Sequence, residues 1–240
     1  LGLVDRAVGH SWLVDATPDL PEQVHLFGEL TPACPLGGIL LTHAHTGHYS
    51  GLIHLGREAW NTKGMPVYAS ERMAGFLQEN EPWTRLVVRK NVELRLLAPG
   101  TELHLSPELG VTPLSVPHRD ELSDTLAFVI RGPQLQLLYC PDIDAWDRWD
   151  RDVRWLVEGM DVALLDGTFY GANELQGRDP SEVPHPLVAD TAERLAGVEC
   201  EVRLIHLNHS NPLLNVGPER EWLARRGIGL GEMGMRWSLV

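Results

Sequence analysis

The stretch LLTHAHTGHYSGL, residues 40–52, decides how this chain is read. It places His43, His45 and His48 within six positions, behind a short apolar run and ahead of a glycine-containing turn. Polar rings this close together are costly to bury unless something binds them. At a strand end, the alternation of an extended chain points the rings of His43 and His45 to one side. His48 follows around the turn, at the opening of the next helix, and can face the same point. Zinc and similar dications take imidazole and carboxylate ligands, usually about four per ion. The alternative is three solvent-facing or capping histidines in a loop. A buried strand before the cluster and suitable partners elsewhere favour ligands.

Those partners come in order. SVPHRDE ends a strand at His118, and LYCPDID ends the next with Asp142 and Asp144 at its rim. LLDGTF ends another at Asp166, and LIHLNHSNP ends the last with His206 and His209. An α/β scaffold builds its sites at the ends of successive apolar strands. One strand-end Asp is as readily a turn or helix cap; the series is what carries the argument.

Short apolar runs alternate with amphipathic stretches along the whole chain. Strands are expected at 11–16, 37–44, 65–70, 92–98, 111–117, 125–131, 135–141, 162–168 and 202–208. Helices are expected at about 18–27, 50–62, 70–79, 147–158, 186–196 and 218–226. RGPQLQ, residues 131–136, reads as a hairpin turn. With no linker, repeat or low-complexity tract, residues 1–240 read as one α/β domain with two sheets covered by helices. The polar, Gly- and Pro-rich segment 169–186 is long enough to be a functional loop.

The composition narrows the function. A formal net charge of −13 repels phosphates, so no nucleic-acid partner is expected. The same field favours a bound dication. No run of about eighteen apolar residues suggests a membrane span. Cys34, Cys140 and Cys200 are odd in number and widely spaced, and they read as reduced thiols in a cytoplasmic setting. The chain starts without Met, on apolar residues in mid-pattern, which leaves room for an upstream segment carrying any targeting signal.

The order His-x-His-x-x-His, then His, Asp and His on later strands, resembles the metallo-β-lactamase superfamily. LVDATPDL, DGTF and IHLNHSNP resemble the branch of the PQQ-biosynthesis protein B, and also the phosphodiesterase and tRNA 3′-processing branches. The resemblance spans nearly the entire chain and implies an αββα sandwich with a metal site at one edge; an upstream segment would carry the family's first strand. It assigns His43, His45 and His118 to a first metal, Asp142 as the bridging carboxylate, and His48 and His206 to a second. The departure is Gly47, which stands where the family has an Asp that ligates the second metal and holds the attacking water. The PQQ branch keeps that Asp-His pair and replaces the two preceding histidines, whereas this chain keeps all three. Asp120, Asp144 and Asp166 are candidates to compensate. One or two Zn2+ ions are expected from the imidazole-rich set, with iron or manganese as alternatives.

The resemblance implies a hydrolase that uses a metal-bound hydroxide on a small ester, lactone or phosphodiester. Asp166, His185 and His209 are the catalytic candidates besides the ligands. His185 is placed like the proton-shuttling His of the tRNA-processing branch, and either it or His209 would protonate the leaving oxygen. The alternative reading of His185 is a surface loop residue between prolines. Trp146, Trp149 and Trp155 follow Asp142 near helical spacing and read as helix packing, or as an aromatic wall beside the metal. Arg119 and Arg178 offer charge to an anionic substrate, and Arg119 reads equally as a structural ion pair. His10, His25, His54 and His104 belong to no cluster. Two rival functions stay open: an iron-dependent oxidoreductase similar to the PQQ branch, and a non-catalytic binding protein on the same scaffold. The expected partner is a small-molecule substrate, and a homodimer is compatible with this reading.

Overall fold

The apolar residues Ile39, Leu40 and Leu41, just before the histidine cluster, are fully buried in a five-stranded sheet. This is the computed structural model of the chain, which describes residues 1–174 and 182–239. Two compact units make it up: Leu1–Ser106 with Asp120–Leu126, and Pro107–Arg119 with Ala127–Val240.

The first unit contains β1 (Gly2–Asp5), β2 (His10–Val14), α1 (Leu20–Leu30), β3 (Leu36–Leu40), α2 (Thr46–Tyr49), β4 (Met65–Ala69), α3 (Glu71–Glu79), α4 (Trp83–Val88), β5 (Val92–Leu96) and β6 (Leu103–His104). Strands β1 to β5 lie side by side in chain order. The β1–β2 pair is antiparallel and the other three pairs are parallel, so the sheet is mixed. Parallel neighbours need crossovers, which α1 and the α3–α4 pair supply. Their apolar stripes (Leu20, Met73, Leu77, Leu86) share one core with Ile39, Leu41 and Val67. Ser70 caps α3 by accepting from the Met73 N–H at 3.1 Å.

The second unit contains β7 (Gly110–Val116), most of β8 (Thr125–Arg131), β9 (Gln136–Cys140), α5 (Val153–Glu158), β10 (Val162–Asp166), α6 (Val188–Arg194), β11 (Glu201–Ile205), α7 (Pro218–Ala224) and β12 (Ile228–Leu230). Its strand order is β12-β11-β10-β9-β8-β7. The β8–β9 hairpin expected at RGPQLQ forms, with Arg131 opposite Gln136. Strands β9 to β12 are mutually parallel, so this sheet is mixed as well. Burial on both faces explains the continuous apolar run of β10, all five of whose residues are buried. Gly167, directly after β10, lets the chain pass close to β11: a Cβ there would sit 2.7 Å from Leu204 Cβ.

Two helices differ from expectation. The segment 50–62 is a 3-10 helix over Ser50–Leu55 that stops at Gly56. The segment 147–158 breaks in two because the indole N–H groups of Trp146 and Trp149 donate to Thr191 Oγ1 and the Ser115 carbonyl. Asp152 then caps a fresh helix, accepting from Arg154 N and Trp155 N. Short strands β1, β6 and β12 and the two-turn α4 carry too little periodic pattern to be read from sequence. All three cysteines are buried. Among the described residues, no helix is long and apolar enough to cross a membrane.

Candidate metal centre

In the first unit the site is built where β2 and β3 end. Asp15 follows Val14 in the left-handed region (φ 66°), a conformation that Asp tolerates better than most residues. The bend turns its buried carboxylate under the histidine stretch. Asp15 Oδ1 accepts from Thr42 N at 2.8 Å and from Thr42 Oγ1 at 2.9 Å, and Oδ2 accepts from His48 Nδ1 at 2.8 Å. The Thr42 hydroxyl, its proton committed to Asp15, accepts from His43 Nδ1 at 3.0 Å. Both rings therefore carry their proton on Nδ1 and their lone pair on Nε2, the atom a cation would take. His45 is turned the other way. Its Nδ1 lies 2.8 Å from His43 Nε2, and its Nε2 lies 3.6 Å from Glu121 Oε2. The Ala44 N–H donates to Ser123 Oγ at 2.8 Å, fixing the backbone between the two ligand-type residues.

In the second unit the ends of β7, β9, β10 and β11 bring His118, Asp142, Asp166 and His206 together. His118 is buried; its Nδ1 faces Asp144 Oδ1 at 3.2 Å and its Nε2 lies 3.6 Å from Asp142 Oδ1. His206 Nδ1 lies 2.9 Å from Thr168 Oγ1 and 3.6 Å from Asp142 Oδ1. His206 is also left-handed (φ 59°), so the strand leading into it ends with the chain bending at the ligand-type residue itself.

His185 comes from the loop before α6, and its Nδ1 donates to Asp166 Oδ2 at 2.7 Å. Asp166 is completely buried and also accepts from the Ile143 and Thr168 N–H groups at 3.1 and 2.9 Å. Burial opposes the charged form of His185 and Arg119 adds to that, but the carboxylates of Asp166 and Asp142 outweigh both. Its pKa is raised above the ordinary imidazole value.

This donor set fits a dication. Ligand atoms of His118, Asp142 and His185 all lie within 4.8 Å of one another. Two ligands of one tetrahedral zinc stand about 3.3 Å apart. The 3.6 Å between His118 Nε2 and Asp142 Oδ1 is too long for a hydrogen bond and close to that ligand spacing. The carboxylate or hydroxyl behind each of His43, His48, His118, His185 and His206 is the kind of outer support that orients imidazoles in metal sites.

The remaining candidates are placed as follows. Asp144 faces His118 and Arg148, and Asp120 pairs with Arg72 at 3.2 Å on the surface. His209 is exposed and belongs to no metal-type group among the described residues. Arg178 lies outside the described residues. Trp146 and Trp149 are core residues and Trp155 is 73% exposed, which agrees with packing for the first two. Asp15 is the site residue that sequence reasoning missed. Its signal was the strand-end Asp of LVDAT, but nothing local ties it to Thr42 and His48.

Comparison with known proteins extends this geometry. The family model of the β-lactamase superfamily domain matches residues 10–214. The Coenzyme PQQ synthesis protein B of Cupriavidus necator is 28% identical over 261 aligned positions, covering 95% of this chain and 83% of that protein. The crystal structure of Zn2+-bound PqqB from Methylobacterium extorquens superposes with a TM-score of 0.82 at 21% identity, over 97% of this chain and 84% of that one. A diphosphatase of the PhnP family superposes with a TM-score of 0.64 at 19% identity, over 95% of this chain and 79% of that one. These two structures share the fold. The strand-end donors, the two mixed sheets and the family match converge: the chain belongs to the β-lactamase superfamily, with the metallo-β-lactamase fold, and it resembles the PqqB branch.

Proposed function

We propose that this protein is a metal-dependent hydrolase acting on a small ester, lactone or phosphodiester. Its proposed ligands are His43, His45, His48, His118, Asp142 and His206. The observation that carries the reading is the placement of His185, anchored by a buried carboxylate, among the donor atoms of His118 and Asp142. An imidazole so placed can serve as a ligand or as a proton carrier; we assign His185 to the proton, because hydrolysis needs an acid for the leaving oxygen.

A dication held there supplies a Lewis acid and lowers the pKa of bound water to about 7. The chain's own residues do the rest. Asp166 holds His185 with Nδ1 protonated, so that Nε2 is the atom that exchanges a proton with substrate. Among the described residues, exposed His209 is the alternative acid. Zinc is the proposed ion because imidazole dominates the donor set, and the zinc-bound PqqB relative supports the choice.

Elemental analysis of purified protein, with a panel of ester, lactone and phosphodiester substrates, tests this. Zinc with turnover that is lost in His43→Ala, together with the metal, is the expected result. A His43→Ala variant with unchanged metal content removes the ligand assignment. The name of the relatives, Coenzyme PQQ synthesis protein B, favours a second reading: an iron-dependent oxidoreductase acting on a quinone precursor. Iron with oxygen consumption, and no hydrolysis, would establish that reading and overturn the first.

A further inference from the structure

The turn after β9 holds a second carboxylate two residues beyond the ligand-type Asp142. Asp144 is largely buried, with 13% of its side chain exposed, and the His118 side chain against it is completely buried. Asp144 Oδ1 stands 3.2 Å from His118 Nδ1 and accepts from the Arg119 N–H at 3.3 Å; Oδ2 accepts from Arg148 at 3.0 Å. The Asp144 N–H donates to the Pro117 carbonyl at 2.8 Å, so backbone and side chain both lock onto the strand end that carries His118. Farther along, the indoles of Trp146 and Trp149 pin the same turn to the core.

We infer that Asp144 is the positioning residue of His118: it fixes the ring with its proton on Nδ1, so that Nε2 is presented to Asp142. The inference rests on the reading that His118 and Asp142 share a dication. An imidazole in a completely buried slot can present either nitrogen by a ring flip. Only one of those orientations puts a lone pair beside Asp142, and the negative charge 3.2 Å from Nδ1, an ion-pair approach rather than an aligned hydrogen bond, selects it electrostatically. Arg148 is more than half exposed and braces Asp144 from outside. Its guanidinium occupies Oδ2 and leaves Oδ1 to the histidine. The spacing Asp-Ile-Asp would thus serve one ion twice: Asp142 would hold it, and Asp144 would aim a second ligand at it.

The test uses the whole 240-residue chain and Zn2+ itself. Competition with a chromophoric chelator should show Asp144→Ala weakening Zn2+ binding by roughly 10- to 100-fold. Asp144→Asn, which keeps an acceptor oxygen, should recover part of the loss. Asp147→Ala is the control, because Asp147 lies in the same turn but pairs with Arg194 on the surface. It should bind Zn2+ as the parent does. Independently of any metal, long-range 15N NMR of the chelator-treated parent should show His118 protonated on Nδ1, and Asp144→Ala should lose that signature. A His118 ring protonated on Nε2 in the parent overturns the inference, as does unaltered Zn2+ affinity in a folded Asp144→Ala variant. A parent chain that takes up no Zn2+ overturns the metal reading instead, while the tautomer still decides what Asp144 does to His118.

Discussion

His48 Nδ1 donates to Asp15 Oδ2 at 2.8 Å across 33 positions of sequence. This bond joins the end of the second strand to the histidine stretch, and the Asp15 carboxylate also takes two donors from Thr42. Asp15→Ala would strand three buried donors, each costing about 1–3 kcal/mol. We expect a loss of stability on the order of 3 kcal/mol, with part cancelled by relaxation. Asp15→Asn keeps the shape and tolerates the left-handed backbone, and it should lose less. Urea unfolding curves decide this, and an unmoved midpoint for Asp15→Ala would contradict the anchoring role.

Gly47 stands exposed in α2 between His45 and His48, and a Cβ there meets no atom within 4 Å. Gly47→Asp should therefore fold with stability changed by no more than about 0.5 kcal/mol. If the absent carboxylate limits the second metal, the variant should carry more dication per chain than the parent by elemental analysis. Equal metal content in both proteins would show that Gly47 is not the limit.

Gly51, also in the opening stretch, is constrained from every side. A Cβ at this position would overlap the Thr17 carbonyl oxygen and sit 2.8 Å from Leu20 Cβ. Its N–H donates to the Ala16 carbonyl at 2.9 Å, so the backbone cannot simply retreat. Gly51→Ala should cost roughly 1–3 kcal/mol or more, although Ala is otherwise the milder helix residue. Thermal unfolding of the two proteins side by side checks it, and equal melting temperatures would contradict the close packing.

His185 gives the protein a pH dependence whose sign is fixed. Burial works against its charge, yet Asp166 and Asp142 raise its folded pKa above the unfolded value of 6.5. Such a group stabilises the fold fully below its unfolded pKa, and that contribution disappears as pH rises through the folded pKa. Chelator-treated protein should accordingly lose stability on going from about pH 6 to alkaline pH, and His185→Gln should flatten that decline. Denaturant titrations at a series of pH values measure it; parallel curves for parent and variant would deny the coupling to Asp166.

Much of this was legible in the sequence. Continuous apolar runs marked the inner strands, because burial on both faces leaves no polar alternation to confuse. The grouping of His43, His45 and His48 followed from strand geometry alone. Asp166 and His185 were both visible as candidates, but their 2.7 Å bond joins a strand end to a loop and has no local pattern. Asp15 was hidden for the same reason, since its partners are set by a backbone bend rather than by spacing. The stretch after Asp142 has helical periodicity, yet two indole hydrogen bonds outweigh it and hold a turn there instead. Periodicity reports which face is apolar; it does not report where a polar ring hydrogen can find an acceptor.

The buried cysteines have a consequence for watching this protein open. Burial pushes the Cys140 thiol far up in pKa, helped by Asp166 and Asp142, and takes Cys200 to about 12. Neither supplies appreciable thiolate near neutrality while folded, so alkylating reagents meet inert sulfur. Cys34 is buried in the first unit, and the other two are buried in the second. The rate at which each thiol becomes labelled is then a clock for the opening of its own unit. Mass-resolved labelling can time the two units separately, with no engineered probe.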